Sequence, residues 1–552
     1  KVKKLRMPTP ETAEQVAEAK GTLYVIQPDG TTRNRGELTV SVVYLEPYTY
    51  TIDLRKETVL LFSQVIEENM NIIFRSRCIE WLVLRENVNK PACLRVEFSP
   101  NTNYKPLILA IAKALIEIST NKPFEQCYQE DDRDWALSSQ TPMEMADDGS
   151  GSAFEYRNGE PTRVSLNRTR RSVRDDNDEK QSTSQPRALF PKSTAHSTAG
   201  VGSGGTNTQN DSNREHNNIL VSGYNLNRTF VSRGHQLGVF GYNDEDELTY
   251  LNRIPKLKSK DGTVLEPSKL QLHSADTQLL IMDDRMNDRI YNMDLETGKM
   301  IDEYKVGEDI SIRNIAPRSK YSQVTNEQLV VGVNDRGVFS IDPRVNTANK
   351  LAEQAFYKTK VDMSSVATTG EGYISTASDN GDIRLFNKIQ KNYCKTLLPG
   401  LGTPVTYIDV TEDGNWLLAT TKTFLIVFNL NMGRPERNGF NTRMGKEKPT
   451  PLLLKISPAD RVKYNITQVH FTPARFNTGT QVNCVEEFIT TSTGEWIVTW
   501  DFTKVKRGIL SSYRIKGTYG NVVQDLFRHN YKDQIVVAQD DDIFNSKIQI
   551  TR

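Results

Sequence analysis

The sequence predicts a mainly β protein: a C-terminal β-propeller of about seven blades, preceded by a small pleckstrin-homology-like barrel that ends in a helix. Three observations carry this. Strand–turn–strand units of similar build recur from residue 218 to the end of the chain. Seven short strand candidates crowd residues 20–128 and lead into one amphipathic run. A polar stretch, 129–217, separates the two and has neither helical nor strand periodicity.

Residues 1–19 are charged and helix-prone and read as a lead-in segment. The first domain, 20–128, opens with GTLYVIQPDG, a strand followed by a Pro-Asp-Gly turn. TVSVVYL, YTYTIDL, TVLLFSQV, NIIFRS, EWLVL and CLRVEF follow as strands. In 105–118, Leu107, Ile111, Leu115 and Ile118 share one helical stripe, so this run closes the unit as a helix. Other small barrels share that element order.

The 129–217 stretch contains QEDDRDW, NRTRRSVRDDNDEK and GVGSGGTNTQNDSN. It is too polar to bury the surface that would offset its chain entropy, and a disordered linker is expected. GVGSGG follows no strand and opens no helix, so it fails as a phosphate loop.

From 218 to 552 the units TFVSRGHQLGVFGYN, QLVVGVNDRGVFSIDPR, GYISTASDNGDIRLFNKI, NWLLATTKTFLIVFNL and EFITTSTGEWIVTWDF share one build. Each has an apolar strand, a short polar turn and a second strand closing on an aromatic and a polar residue. With two further units, at spacings of roughly 40–75 residues, they suit a propeller with one four-stranded sheet per blade. Trp500-Asp501 is the pair seen in WD-repeat blades, and Trp500 is expected between sheets. The other units depart from it, so the array is divergent. Two stacked β-sandwiches are the alternative. In YISTASDNGDIRLF, Asn380-Gly381 is expected to form a hairpin turn in which both residues accept positive φ, with Ser378 and Asp379 bonding the local backbone.

The chain has 552 residues, too many for one core. Lys+Arg number 70 and Asp+Glu 69, a net charge of +1, which argues against a nucleic-acid binder. Hydrophobic content is 37% and mean hydropathy is −0.55, as a long polar segment requires. The five cysteines, Cys78, Cys93, Cys127, Cys394 and Cys484, are widely spaced without a CxxC pair, which suits a reducing compartment and no zinc site. The longest apolar run, 107–118, contains Lys113 and Glu117 and falls short of the roughly 20 residues a bilayer needs. No signal peptide is present in the sequence as given, and its first residue, Lys1, leaves room for an upstream segment. The expectation is a cytoplasmic protein, with a nuclear share allowed, without cofactors.

HExxH, GxxxxGK[ST], GxSxG and EF-hand patterns do not occur, and no histidine pair has metal-ligand spacing. No catalytic, cofactor or metal residue is assigned. Three weaker candidates remain. FTPARFNTG places Pro473, Arg475, Phe476 and Asn477 just past a strand, where an arginine and an aromatic in a loop make a partner-binding hot spot. The competing reading packs Phe476 under the loop and pairs Arg475 with a blade carboxylate. Arg33 and Arg35 follow the Pro-Asp-Gly turn, where basic residues can meet a lipid headgroup. Ser172 in RTRRSVR follows two arginines and suits a basophilic kinase.

IRNIAPRSKYSQVTNEQ, VATTGEGYISTASDNGDIRLF, LPGLGTPVTYIDVTEDGNWLLATTKT, FTPARFNTG and TSTGEWIVTWDFTKVKRG resemble the core of the vacuolar import and degradation protein 27 family. Its plant relatives are the defective-embryo-and-meristems proteins. LFSQVIEENMNIIF and the CLRVEF-to-helix stretch are similar to that family's pleckstrin-homology-like module. The separate N-terminal domain of fungal members is not visible. The resemblance implies a cytoplasmic, non-enzymatic propeller protein, associated in fungi with vacuolar turnover of gluconeogenic enzymes and in plants with meristem development. It brings no catalytic residues. The leading expectation is therefore an interaction scaffold whose partners are other proteins, not nucleic acid. The alternatives are a phosphoinositide-guided trafficking adaptor with weak membrane contact, and a hydrolase using the propeller channel.

Overall fold

The computed structural model describes residues 14–85, 88–141, 156–157, 160–161, 215–225, 227–307, 310–345, 348–390, 394–434, 437–477, 486–528, 531 and 534–548. The first domain is a single sheet of β1 (Glu14–Ile26), β2 (Thr32–Glu46), β3 (Thr49–Lys56), β4 (Val59–Val65), β5 (Ile73–Arg75), β6 (Cys78–Arg85) and β7 (Val88–Glu97). Its order is β4-β3-β2-β1-β7-β6-β5. β1 is shared: it runs along β2 for its whole length and pairs β7 through Thr22–Ile26. The alternation in TVSVVYL turns Val40 and Val42 inward, and both are fully buried with Ile52, Trp81 and Val96. Helix α1 (Lys105–Thr120) closes this core with Leu107, Ile111 and Ala114, while Leu115 and Ile118 are half-buried against it. This is the element order of the expected pleckstrin-homology-like barrel.

Two segments extend past the expected boundaries. β1 reaches back to Glu14, into the lead-in, because Glu14–Lys20 finds a pairing partner in Thr39–Tyr44. Helices α2 (Phe124–Cys127) and α3 (Glu130–Gln140) carry the chain into the stretch read as linker. QEDDRDW has little apolar periodicity, but its acids suit a helix N-terminus, and α3 has somewhere to dock. Trp135 donates its indole N–H to the Pro449 carbonyl (3.0 Å), Gln140 donates to the Leu401 carbonyl (3.2 Å), and Asp131 and Asp132 pair with Lys446 and Lys448. Ser172 and GVGSGG lie outside the described residues.

The second domain is a ring of seven blades. Blade 1 comprises Asn217–Ser222, Arg228–Arg233, Gln236–Tyr242 and Leu248–Ile254. Blade 2 comprises Lys269–His273, Gln278–Met282, Arg289–Asp294 and Lys299–Lys305, and blade 3 Asn314–Pro317, Val330–Val333, Gly337–Ile341 and Leu351–Phe356. Blade 4 is Met363–Thr368, Ile374–Ser378, Ile383–Phe386 and Thr396–Leu398. Blade 5 is Tyr407–Val410, Trp416–Thr420, Leu425–Asn429 and Leu452–Leu454. Blade 6 is Arg475–Phe476, Phe488–Thr493, Trp496–Asp501 and Tyr513–Gly517. Blade 7 has Val522–Phe527, Gln534–Gln539 and Ile543–Lys547, three strands among the described residues. Every blade is antiparallel and meets a neighbour on both faces, so middle strands such as VVGV and LIVF are apolar on both sides. Trp500 is fully buried between blades 5 and 6, where it donates to the Leu510 carbonyl (3.2 Å) and packs on Tyr513. Among the described residues no helix is long and apolar enough to cross a membrane.

The blade 4 hairpin corrects one expectation. Of Asn380 and Gly381, only Gly381 has positive φ, at 87°. Gly381 N–H donates to the Ser378 carbonyl (2.9 Å) and Ser378 N–H to the Asp382 carbonyl (3.0 Å), so the loop is a longer turn closed by a left-handed glycine. The side chains also reach further than the local backbone: Ser378 Oγ accepts from Arg384 (2.9 Å), and Asp379 pairs with Arg313 on the connector into blade 3 (3.0 Å). A Cβ on Gly381 would stand 2.7 Å from the Thr403 carbonyl oxygen. Gly381→Ala is expected to cost about 2 kcal/mol or more, from the left-handed backbone plus that clash. Thermal melting within a degree of the parent would refute it.

The faces of the ring differ. Loops joining first to second strands form one face; the second-to-third turns and the connectors between blades form the other. The first domain docks on the connector face. Arg461, on the short helix Pro458–Lys463 between blades 5 and 6, is 1% exposed. It donates to the Asn69 carbonyl (2.8 Å), Asn69 Oδ1 (3.0 Å), and the carbonyls of Ile466 (3.0 Å) and Thr467 (2.6 Å). Val462 inserts among Ile26, Leu82 and Cys93 of the barrel, and Lys455 donates to the Ile72 carbonyl (3.0 Å).

Candidate functional site in the central channel

The structure places Phe471–Asn477 on the first strand of blade 6 and its approach, rather than in an exposed loop. A blade strand must bury one side, and here Ala474 and Phe476 take it. Phe476 is 2% exposed and packs on Phe502 with ring centroids 4.8 Å apart. Asn477 is 1% exposed, its side-chain oxygen accepting from the N–H groups of Glu487 (2.7 Å) and Phe488 (2.9 Å). Pro473 is half-buried. Arg475, on the other side of the strand, faces the channel with its guanidinium 4.6 Å from the Tyr407 ring centre. Arg33 and Arg35 are exposed on β2, in the other domain.

The first strands of neighbouring blades lie side by side around the axis, so their outward positions line a channel. Lys269 opens the first strand of blade 2. Lys320 and Tyr321 stand on the loop after the first strand of blade 3, and Tyr224 on the equivalent loop of blade 1. Tyr407 and Asp409 come from blade 5, Arg475 from blade 6 and Asp525 from blade 7. Lys320 Nζ bonds Asp409 Oδ1 (3.0 Å), whose second oxygen accepts from Phe476 N–H (3.0 Å). Burial alone would push the Lys320 ammonium's pKa down, but Asp409 beside it, with Tyr321 and Glu486, holds it above the ordinary lysine value. Asp525 is fully buried and accepts from the hydroxyls of Thr472 (2.8 Å) and Ser492 (2.9 Å); burial pushes its pKa up. Lys269 donates to the Ile315 carbonyl (2.7 Å) and to Asn314 Oδ1; burial, helped by the charge of Arg475, pushes it down to about 7. Burial raises Tyr224 to about 12 and lifts Tyr321 and Tyr407 as well.

Chemically, this arrangement presents three cations and three phenols to a narrow lumen, with one carboxylate already paired. Among the described residues no three His, Cys, Asp or Glu side chains are grouped to hold a metal ion. Sequence reasoning reached Arg475 for a different reason and missed Lys269, Lys320, Asp409 and Asp525. The signal that could have found them is register: they stand on, or just after, the first strands of their blades.

A family model described as the VID27 C-terminal WD40-like domain matches residues 215–552. Over 339 residues the chain is 39% identical to Vacuolar import and degradation protein 27 of Schizosaccharomyces pombe, covering 60% of this chain and 42% of that protein. Over 351 residues it is 34% identical to the protein of the same name from Saccharomyces cerevisiae, covering 60% of this chain and 44% of the relative. The match therefore spans less than half the length of either relative.

Proposed function

Because the chain belongs to the VID27 family, we propose that it is a non-enzymatic, cytoplasmic interaction scaffold serving vacuolar import and degradation, the process its relatives are named for. The observation that carries this reading is the unequal use of the ring's two faces. The connector face is occupied in part by the first domain through Arg461, Lys455 and Val462. The opposite face presents its first-to-second-strand loops to solvent, with Asn326 and Glu371 exposed and Glu327 half-buried. Loops held on a rigid ring are suited to docking other proteins. Commitment of Asp409 and burial of Asp525 support a channel without hydrolytic chemistry.

The test is affinity capture with the full chain and with Glu327→Arg/Glu371→Arg, read by quantitative mass spectrometry. A partner set lost on charge reversal while the melting temperature holds is the expected result. An unchanged set, or none above background, sinks the reading.

A second reading has its own observation. Val59, Leu60 and Leu61, at the start of edge strand β4, are 60%, 51% and 57% exposed, in the same domain as exposed Arg33 and Arg35. In this reading the first domain meets an anionic membrane. Arg33→Glu/Arg35→Glu would then weaken binding to phosphoinositide liposomes by at least about 2 kcal/mol, roughly 30-fold. Sedimentation showing no lipid-dependent binding, or binding equal in the variant, rejects it.

A further inference from the structure

The loop 445–451 leads into the last strand of blade 5 and receives the first half of α3. Lys446 Nζ bonds Asp131 (2.9 Å), Lys448 pairs with Asp132, and the Pro449 carbonyl takes the Trp135 indole N–H (3.0 Å). The Lys448–Asp132 pair is the covered one, its side chains 12% and 20% exposed. The next residue is Thr450. It is exposed, and its hydroxyl makes no hydrogen bond among the described residues. Pro449 and Pro451 flank it, and a proline on each side favours an extended backbone. An exposed threonine followed by proline in extended chain is what a proline-directed kinase accepts. Here that threonine stands beside two lysines whose partners are the acids of α3.

We propose that Thr450 is phosphorylated by a proline-directed kinase and that the phosphate releases α3 from the propeller. The kinase moves the γ-phosphoryl group of ATP to Thr450 Oγ1. The Oγ1–P bond forms as the bond from phosphorus to the β–γ bridging oxygen breaks, ADP leaves, and the hydroxyl proton passes to the kinase's base. The product carries about two negative charges near neutrality and adds strong acceptor oxygens. Two extended residues span at most about 7 Å, so the Lys448 side chain reaches the phosphate. That phosphate keeps a high local concentration at the lysines whether or not α3 is docked. Asp131 and Asp132 then lose their lysines and face a like charge, with Glu130 and Asp134 beside them in α3. Pro451 is buried and Trp135 sits on Pro449, so the loop fits a kinase cleft only when α3 lifts, and the phosphate bars its return. Tyr128 and Gln140 bond carbonyls of a different connector, Gly400 (2.7 Å) and Leu401 (3.2 Å), so the opening is read at Glu130–Trp135. This inference does not rest on the scaffold reading.

The test incubates the full chain with a recombinant proline-directed kinase and Mg·ATP, followed by peptide mass spectrometry and hydrogen exchange. Phosphate is expected on Thr450, and faster on Asp131→Asn/Asp132→Asn, whose α3 is loosened. Exchange in Glu130–Trp135 should rise by about tenfold or more on modification. Thr450→Val treated in the same way should show no rise, which separates Thr450 from any other residue the kinase modifies. Should the asparagine variant fail to fold, phosphothreonine encoded at position 450 of the otherwise unaltered chain keeps the idea exposed. Its exchange in Glu130–Trp135 should match that of the kinase-treated chain. No phosphate on Thr450, exchange unchanged by phosphate there, or an equal rise in Thr450→Val overturns the proposal. Such a failure with protein capture intact rejects the modification site and leaves the scaffold reading standing.

Discussion

Arg461→Leu is expected to detach the first domain from the propeller. Arg461 is 1% exposed and has no carboxylate partner among the described residues; it satisfies the carbonyls of Asn69, Ile466 and Thr467 together with Asn69 Oδ1. Burial lowers its pKa to about 10, so it stays charged near neutrality. Leucine removes the charge and leaves the carbonyls of Asn69 and Ile466 without this donor, while the Thr467 carbonyl keeps only the Asn69 side-chain amide (3.3 Å). Each unsatisfied group costs about 1–3 kcal/mol when it stays buried, so a loss of about 3–5 kcal/mol is expected. The cheapest relief is for the seam to open to water. Limited proteolysis should then cut around 66–72 and 455–467, and the melting transition should split or fall by several degrees. Arg461→Lys should rescue little, because one ammonium cannot reach the acceptors on both sides of the seam. A parent-like melt with an uncut seam would show that Val462 and its apolar neighbours hold the domains without it.

The second large effect is at ring closure. Arg528, just past the first strand of blade 7, is 1% exposed and sandwiched between Tyr242 (3.4 Å to the ring centre) and Tyr531 (3.8 Å). It pairs with Asp246 of blade 1 (2.5 Å) and bonds Gln534 (2.7 Å) and Asn227 (3.2 Å). At the opposite face, Asn217 ties blade 1 to blade 7 through the Gln539 and Asp540 carbonyls (2.8 Å each). Blade 7 follows the other six blades in the chain, so its seam with blade 1 is the one no blade-to-blade connector spans. Arg528→Leu removes the cation paired with Asp246 and its contacts with the two tyrosine rings, leaving Asp246 the Gln534 amide and Gln534 the Asn545 amide as donors, and is expected to cost about 3 kcal/mol. Hydrogen exchange should rise first in Asn217–Ser222 and Val522–Phe527. Protection unchanged there would mean that the apolar contacts of Leu220, Phe240 and Val536 close the ring unaided.

The same seam has a pH signature. Hydrogen bonds from Gln534, then Arg528, hold the Asp246 carboxyl below the ordinary aspartate range. A depressed folded pKa means that its contribution is complete above about pH 4 and is lost as pH falls through the folded value. Asp246→Asn should therefore lower the melting temperature at neutral pH and flatten its decline on the acid side.

Much of the fold was legible because it is locally encoded. The seven strands of the first domain and its closing helix show as alternation, turn residues and one helical stripe. The blades show as repeats, and Trp500 sits in the core between blades 5 and 6, as its place in the repeat suggested. Turn detail was less legible. Asn380-Gly381 is a good hairpin signal, but only Gly381 takes positive φ, in a longer turn closed by its N–H on the Ser378 carbonyl. Boundaries slipped where a segment borrows its stability from elsewhere: α3 looks polar in isolation and is a helix because Trp135 and Gln140 have carbonyls to reach on the propeller.

The candidate site was the least legible part. The sequence by itself determined the architecture, a divergent propeller behind a small barrel, because strand periodicity and turn chemistry repeat within each stretch of a few tens of residues. Only the tertiary structure decided that Arg475 faces a channel while Phe476 and Asn477 are buried, that Lys320 pairs with Asp409 across from one blade to another, and that Arg461 and Arg528 are the joints of the assembly. Each of those contacts joins residues far apart in the chain. Closing such loops leaves no periodic trace in the sequence, since any lysine or arginine looks alike until the fold chooses its neighbours and its solvent.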